Sequence, residues 1–184
     1  MHTLALDEAV SEIADGDLLL YRRRGLIAVA GRSRYSHAAM AVWMGGRPFV
    51  AEMVLGGGRA RPLRGEVRRR PGRWDWFSFS RRARHSVQRA LAAQKMLELI
   101  ERPYNLRGLL LAACLHLPLA RLLVHPDFED AGPDRGRPLF CSQAFSAAWR
   151  LGAGVDLVPE LADRITEPGD LARCALFAYR GTLQ

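Results

Sequence analysis

The sequence predicts a single α+β domain. Apolar, strand-like runs crowd the stretch 18–79, and helical patterns follow at 82–101 and 141–151. A chain of 184 residues, 49% of them apolar, is long enough for one compact core and too short for two, so the domain is expected to span residues 1–184.

Leu4, Ala9, Val10 and Ile13 recur at helical spacing over 3–14, and Asp15-Gly16-Asp17 ends that helix. A buried strand at 18–21 follows. The segment 25–31 reads as a short apolar helix or turn leading into a strand at 36–44. Gly45-Gly46 suits a two-residue hairpin turn, because both central residues can take positive φ, and it leads into a strand at 47–55. After Gly56-Gly57-Gly58 a further strand is expected at 59–63, then a loop through Gly72 and a strand at 74–79. The helix 82–101 places Val87, Leu91, Met96, Leu97 and Ile100 on its apolar side, and Pro103-Tyr104-Asn105 ends it. The apolar run 109–124 is broken by His116, Pro118 and Arg121, so its longest uncharged stretch is about a dozen residues, against the roughly 20 that span a bilayer. It reads as a buried or interfacial helix pair. A polar, Pro- and Gly-rich loop covers 125–138. The helix 141–151 is stopped by Gly152-Ala153-Gly154, and a short helix at 168–172 and a strand at 175–179 close the chain.

The net charge of +8 is carried almost wholly by arginine, since Lys95 is the only lysine. The arginine runs at 22–24, 68–70 and 81–82 are scattered and lack interleaved aromatics, which argues against a nucleic-acid partner. They leave room for peripheral contact with an anionic membrane. No obligate protein partner is inferred. The three cysteines, Cys114, Cys141 and Cys174, have no metal-ligand spacing, and His125, Asp127, Glu129 and Asp130 match no metal motif, so neither metal nor cofactor is expected. Free thiols, and an acidic segment at 1–14 without the pattern of a signal peptide, give a cytoplasmic expectation.

Phe140-Cys141-Ser142-Gln143 turns from loop into helix. A cysteine at a helix start meets unsatisfied N–H groups and partial positive charge, which favour thiolate and lower a pKa ordinarily about 8.5. Cys114 and Cys174 read as small core residues. His37 supplies the base. With Gly45-Gly46 as the turn, Ala39 falls opposite Glu52 and His37 opposite Val54, so His37 and Glu52 share a face as diagonal neighbours about 7–8 Å apart. A carboxylate on one imidazole nitrogen fixes the tautomer and leaves the other nitrogen for a thiol. Ala38, Ala39 and Ala41 leave space for a helix to approach. Taken alone, Glu52 also suits an edge-strand carboxylate paired with a nearby arginine, and Asp17 a turn or cap.

Gly16-Asp17-Leu18-Leu19-Leu20, Tyr35-Ser36-His37, Glu52, Pro103-Tyr104-Asn105, Phe140-Cys141-Ser142 and Pro168-Gly169-Asp170-Leu171 resemble, in order and over nearly the whole chain, the circularly permuted papain-like branch of the NlpC cysteine hydrolase superfamily, the YiiX-like proteins. The resemblance implies a papain-like core in which an antiparallel sheet packs on the helix carrying the nucleophile. It implies Cys141 as nucleophile, His37 as base, Glu52 as its orienting partner, and Tyr104 as an oxyanion or substrate contact. Gln143 and Asn105 stand where the family commonly has acidic residues. The function expected is a thiol hydrolase that cleaves an amide or ester of a small-molecule, peptide or lipid-linked substrate through an acyl-thioester. The alternatives are a thiol acyltransferase or phospholipase, and a non-catalytic lipid- or peptide-binding module.

Overall fold

A computed structural model of the chain describes residues 2–23, 32–80, 87–115 and 137–184, with side chains of 111–115 left aside. The expected turn at 25–31, the start of the helix 82–101, most of the apolar run 109–124 and most of the loop 125–138, with His125, Asp127, Glu129 and Asp130, lie outside the described residues, as does the Cys114 side chain.

The described residues form a mixed α+β structure around one seven-stranded sheet. Its strands are β1 (Thr3–Leu4), β2 (Leu18–Arg22), β3 (Tyr35–Met44), β4 (Arg47–Val54), β5 (Gly57–Pro62), β6 (Trp74–Phe79) and β7 (Phe177–Leu183), in the spatial order β1-β7-β6-β2-β3-β4-β5. Among these strands only β1 and β7 pair in parallel. The helices are α1 (Leu6–Val10), α2 (Leu63–Arg69), α3 (Arg89–Leu99), α4 (Leu106–Leu115), α5 (Cys141–Ala153) and α6 (Pro168–Arg173), with a 3₁₀ turn at Asp163–Ile165.

Strand alternation divides the core into two layers. Leu18, Leu20, Ala38, Met40, Ala51 and Met53 pack with Met96 of α3, with Cys141, Ala144 and Phe145 of α5, and with Leu171 of α6. Leu19, Ala39, Ala41, Val50, Trp74 and Trp76 pack on the other face with Leu6 and Ala9 of α1 and Leu63 and Val67 of α2. The helix bearing Cys141 therefore approaches over Ala38, while Ala39 and Ala41, expected to make room for it, face away.

Gly45 and Gly46 take φ of 57° and 76°, the two positive values such a hairpin turn needs, and the pairing Met44↔Arg47 to Met40↔Ala51 follows the expected register. Tertiary contacts override the sequence pattern elsewhere. The helix expected at 3–14 shortens to α1 because Thr3 and Leu4 pair with Thr182 and Leu183 of β7. The loop expected before Gly72 contains α2, whose Leu63 and Val67, one helical turn apart, are buried. The buried face of α3 is Ala92, Ala93, Met96 and Leu99, whereas Leu91 is exposed, because close helix packing selects small side chains there. Cys174 is a core residue as expected, its thiol donating to the Leu157 carbonyl at 3.0 Å. Among the described residues no helix is long and apolar enough to cross a membrane.

Asp17, fully buried, joins the sheet to α3. Its carboxylate accepts from Ala14 N–H (3.1 Å), Trp76 Nε1–H (2.9 Å), Phe79 N–H (3.1 Å) and the Arg89 guanidinium at the start of α3. Burial pushes its carboxyl above the ordinary range, against the pull of Arg89. Asp17→Ala strips an acceptor from two buried donors and the half-buried Ala14 N–H, and leaves Arg89, 13% exposed, without this ion pair. The expected cost is about 3 kcal/mol or more, read as a lowered midpoint in urea unfolding.

Candidate active site

The loop-to-helix junction at Cys141 is built by local chemistry. Phe140 is extended (φ −106°, ψ 173°) and α5 begins at the next residue. Gln143, at the third helical position, accepts the Phe140 N–H through Oε1 at 3.4 Å, as the returning half of a capping box does. The Ser142 hydroxyl donates to the Thr166 carbonyl at 2.7 Å, which ties down the first turn and engages the hydroxyl beside the thiol. At the far end, a Cβ on Gly152 would lie 2.4 Å from the Leu91 carbonyl oxygen, so a glycine is required for α5 to lie this close to α3.

His37 owes its orientation to a bulge. Tyr21 pairs with His37 but Arg22 pairs with Tyr35, so Ser36 is an extra residue in β3. Tyr35 consequently points into the α3–α5 layer, with its hydroxyl donating to Asp75 at 2.8 Å, while His37 lies on the opposite face beside the Trp74 ring, 6.2 Å between centroids.

His37 Nε2 is 2.6 Å from Glu52 Oε2. The other Glu52 oxygen, Oε1, accepts from Arg59 Nε at 2.7 Å and faces its Nη2 at 2.6 Å. Glu52 thus meets the histidine and an arginine at once, on a strand that lies between β3 and β5 and is not the edge strand that the arginine reading supposed. Arg59 is the site residue that sequence reasoning left unnamed. Its signal was available: a turn at Leu55-Gly56 pairs Glu52 with Arg59 across β4 and β5.

The paired ladder between β3 and β4 stops at Met40↔Ala51, although β4 continues against β5 to Val54. The pairings expected beyond it, Ala39 with Glu52 and His37 with Val54, do not form. The Cys141 sulfur occupies this region. It is hydrogen-bonded by the Ala38 and Ser142 backbone and by the His37 side chain, whose free nitrogen is Nδ1 because Nε2 is engaged by Glu52.

Burial opposes charge on both partners, and their mutual attraction and hydrogen bond outweigh it. His37 is pushed up to about 10, by Cys141 first and Glu52 next. The Cys141 thiol is held below its ordinary 9 by His37 and the two backbone contacts. Glu52 is likewise held below the usual carboxylate range by His37 and Arg59, against the effect of its burial. The raised imidazole and the lowered thiol both favour the thiolate–imidazolium form of the pair.

Tyr104 reaches the same place by a parallel bridge to Leu139, two residues before the thiol, in which Asn105 N–H donates to the Leu139 carbonyl (2.9 Å) and Leu139 N–H to that of Pro103 (3.0 Å). Burial, then the Cys141 charge, push its phenol above the ordinary 10. Asn105 Oδ1 accepts Gly108 N–H at 2.8 Å and so caps α4. Gln143 and Asn105 therefore each serve a helix start.

A cavity of about 610 Å³ opens on His37, Glu52 and Tyr104. Cys141 is only 1% exposed and is not part of its lining. The structure brings the four residues singled out in the sequence to one place, with the imidazole and phenol facing the cavity and the thiol enclosed.

A mixed α+β sheet with a thiol, an imidazole and a carboxylate in series defines the class of site. No family model matches the sequence, and no curated protein matches it. In three dimensions the chain shares its fold with YiiX from Escherichia coli O157:H7, whose crystal structure is described as that of a metalloprotein. The TM-score is 0.61 at 16% identity, over 92% of this chain and 97% of that one.

The rate of Cys141 alkylation by iodoacetamide should rise with pH about a midpoint below 9, since the thiolate forms as pH passes the lowered value. His37→Ala leaves burial acting without its largest counterweight and should move the midpoint upward. Peptide mapping against Cys174, whose thiol burial pushes above 9, supplies the internal reference.

Proposed function

We propose that the chain is a thiol hydrolase of the permuted papain-like, NlpC-type kind, cleaving an amide or ester bond through an acyl-enzyme. The observation that carries this reading is His37, placed between the Cys141 sulfur and Glu52, with Nε2 2.6 Å from the carboxylate. Thiolate, imidazolium and carboxylate in that order are what nucleophilic catalysis by cysteine requires.

In this reaction the Cys141 thiolate attacks the substrate carbonyl carbon and the carbonyl π pair moves to oxygen. Donors for that oxygen are available at the start of α5 and in the Tyr104 phenol, whose raised pKa keeps it protonated. The intermediate collapses as the bond to the leaving amine or alkoxide breaks, and His37 gives its proton to that group. A thioester remains on Cys141. Neutral His37 then takes a proton from water as the water attacks the thioester. Collapse releases the carboxylic acid and restores the thiolate–imidazolium pair. Glu52 acts through His37, fixing its tautomer, and Arg59 holds Glu52 ionised.

The description of YiiX as a metalloprotein raises the question of a metal here. Among the described residues no group of three or more His, Cys, Asp and Glu side chains is placed to hold one. At the thiol site Glu52 is committed to His37 and Arg59, so a cation would have to displace a guanidinium held at 2.6 Å. The donor set does not suit a metal.

Incubation with a p-nitrophenyl acyl ester should release a burst of p-nitrophenolate and leave the acyl mass on the Cys141 peptide. Cys141→Ala should lose turnover by about 10³-fold or more while keeping its circular dichroism spectrum and unfolding midpoint. Unchanged turnover in that variant, or wild-type protein that never acylates, would sink the hydrolase reading and favour a binding module.

A further inference from the structure

We propose that the cavity contains an anion subsite, built by Arg70 and Arg23 beside Tyr21, and that the acyl substrate carries a carboxylate or phosphate group that binds there. The statement about substrate rests on the thiol-hydrolase reading; the subsite itself does not.

Arg70 and Arg23 both line the cavity that opens on His37. Arg70 is held in place: its guanidinium lies over the Tyr21 ring, 5.3 Å from the centroid, and Nη1 donates to the Tyr21 hydroxyl at 3.1 Å. An arginine fixed this way loses less side-chain freedom when it binds an anion, and its remaining N–H groups match a carboxylate or phosphate in geometry.

The charges around it are already assigned. The cavity is lined by two carboxylates. Glu52 is engaged by His37 and Arg59, and Glu66 by Arg61 at 3.5 Å and Arg69 at 3.3 Å. Among the described residues neither Arg70 nor Arg23 has a carboxylate at ion-pair distance, so the wall presents two positive charges without a counter-charge from the described protein. A lone exposed arginine is ordinary surface. Two that share one concavity with a perturbed thiol–imidazole pair, one of them fixed on a tyrosine, make a receptor for an anion.

The spacing follows from a row of rings. His37 and Trp74 are 6.2 Å apart between centroids, Trp74 and Tyr21 5.0 Å, and Arg70 is the next contact beyond Tyr21. The Arg70 guanidinium thus lies no further from the His37 ring than these contacts laid end to end. Leu55 (71% exposed), Leu106 (48%) and Leu110 (54%) line the same cavity, so the part of the molecule between its two ends is apolar.

The test is calorimetric binding to the Cys141→Ala protein, which cannot turn its ligands over, of three short probes: hexanoate, hexyl phosphate and hexanamide. At least one anion should bind about ten-fold more tightly than the amide, with the margin shrinking as salt is raised. Whether carboxylate or phosphate binds better identifies the group. Adding Arg70→Gln and Arg23→Gln should bring the preference to within about two-fold while the hexanamide affinity, which reports an intact cavity, stays the same. Equal affinities for all three probes, no binding by any, or a preference that survives both substitutions would overturn the subsite. None of these readouts depends on thiol reactivity, so a failed acylation test and a failed subsite remain separate results.

Discussion

His37 and Cys141 start on opposite faces of the sheet, and their contact depends on an interruption in it. The histidine stands on the α1–α2 side beside Trp74, while the cysteine begins a helix packed on the other side over Ala38 and Met40. An unbroken β3–β4 ladder would keep them apart. Pairing stops instead at Met40↔Ala51, and the thiol hydrogen-bonds the Ala38 backbone where the ladder would have continued. Buried backbone donors require partners, and here sulfur supplies one. The feature that breaks the sheet thus also stabilises the thiolate. Ser36 completes the geometry, since without that extra residue Tyr35 and His37 would face the same way.

The site is a series of alternating charges: sulfur, imidazolium, carboxylate and guanidinium, carried by α5, β3, β4 and β5 in turn. Each charge is buried or half-buried and is compensated by its neighbours, so removing the imidazole or the guanidinium leaves Glu52 short of a partner, whereas loss of the sulfur lets His37 give up its proton and stay bonded to Glu52 as a neutral ring. The order of strands in the sheet makes the series possible. Because β3, β4 and β5 are consecutive hairpins, the imidazole, its carboxylate and the arginine become spatial neighbours through two short turns. Only the cysteine must arrive from far along the chain, and Asp17 works toward that end at a distance by fixing β6 and the start of α3, the helix against which α5 packs.

How much of this the sequence discloses follows from which forces are local. The Gly45-Gly46 turn is local chemistry, and it set the register that brought Glu52 within reach of His37. The thiol at a helix start is local too, as is Gly154, which ends α5 in the left-handed conformation. What escaped was set by distant partners. Thr3 and Leu4 have helical spacing with Ala9 and Ile13, but β7, more than 170 residues away, takes them as a strand. The helix α2 hides in an arginine-rich stretch because only Leu63 and Val67 mark its buried face. The bulge at Ser36 leaves no mark in composition, and the residue that meets β3 where its pairing with β4 ends comes from a hundred positions away. The α+β class and the candidate residues were therefore legible, whereas the route by which the thiol reaches the imidazole was not.

Enclosure of the thiol is consistent with the charge it carries in the proposed reaction. A thiolate open to water would be stabilised by solvent and would lose nucleophilicity to that hydration; here its partners are one imidazolium and fixed backbone donors, already aimed before any substrate arrives. The cavity presents His37 and Tyr104, the groups proposed to handle the proton and the developing oxyanion, while the sulfur lies out of its lining. A carbonyl entering along the Trp74–Tyr21 wall would meet the imidazole side of the ion pair first. A ligand held at its far end by the proposed arginine subsite would approach that pair from one direction only.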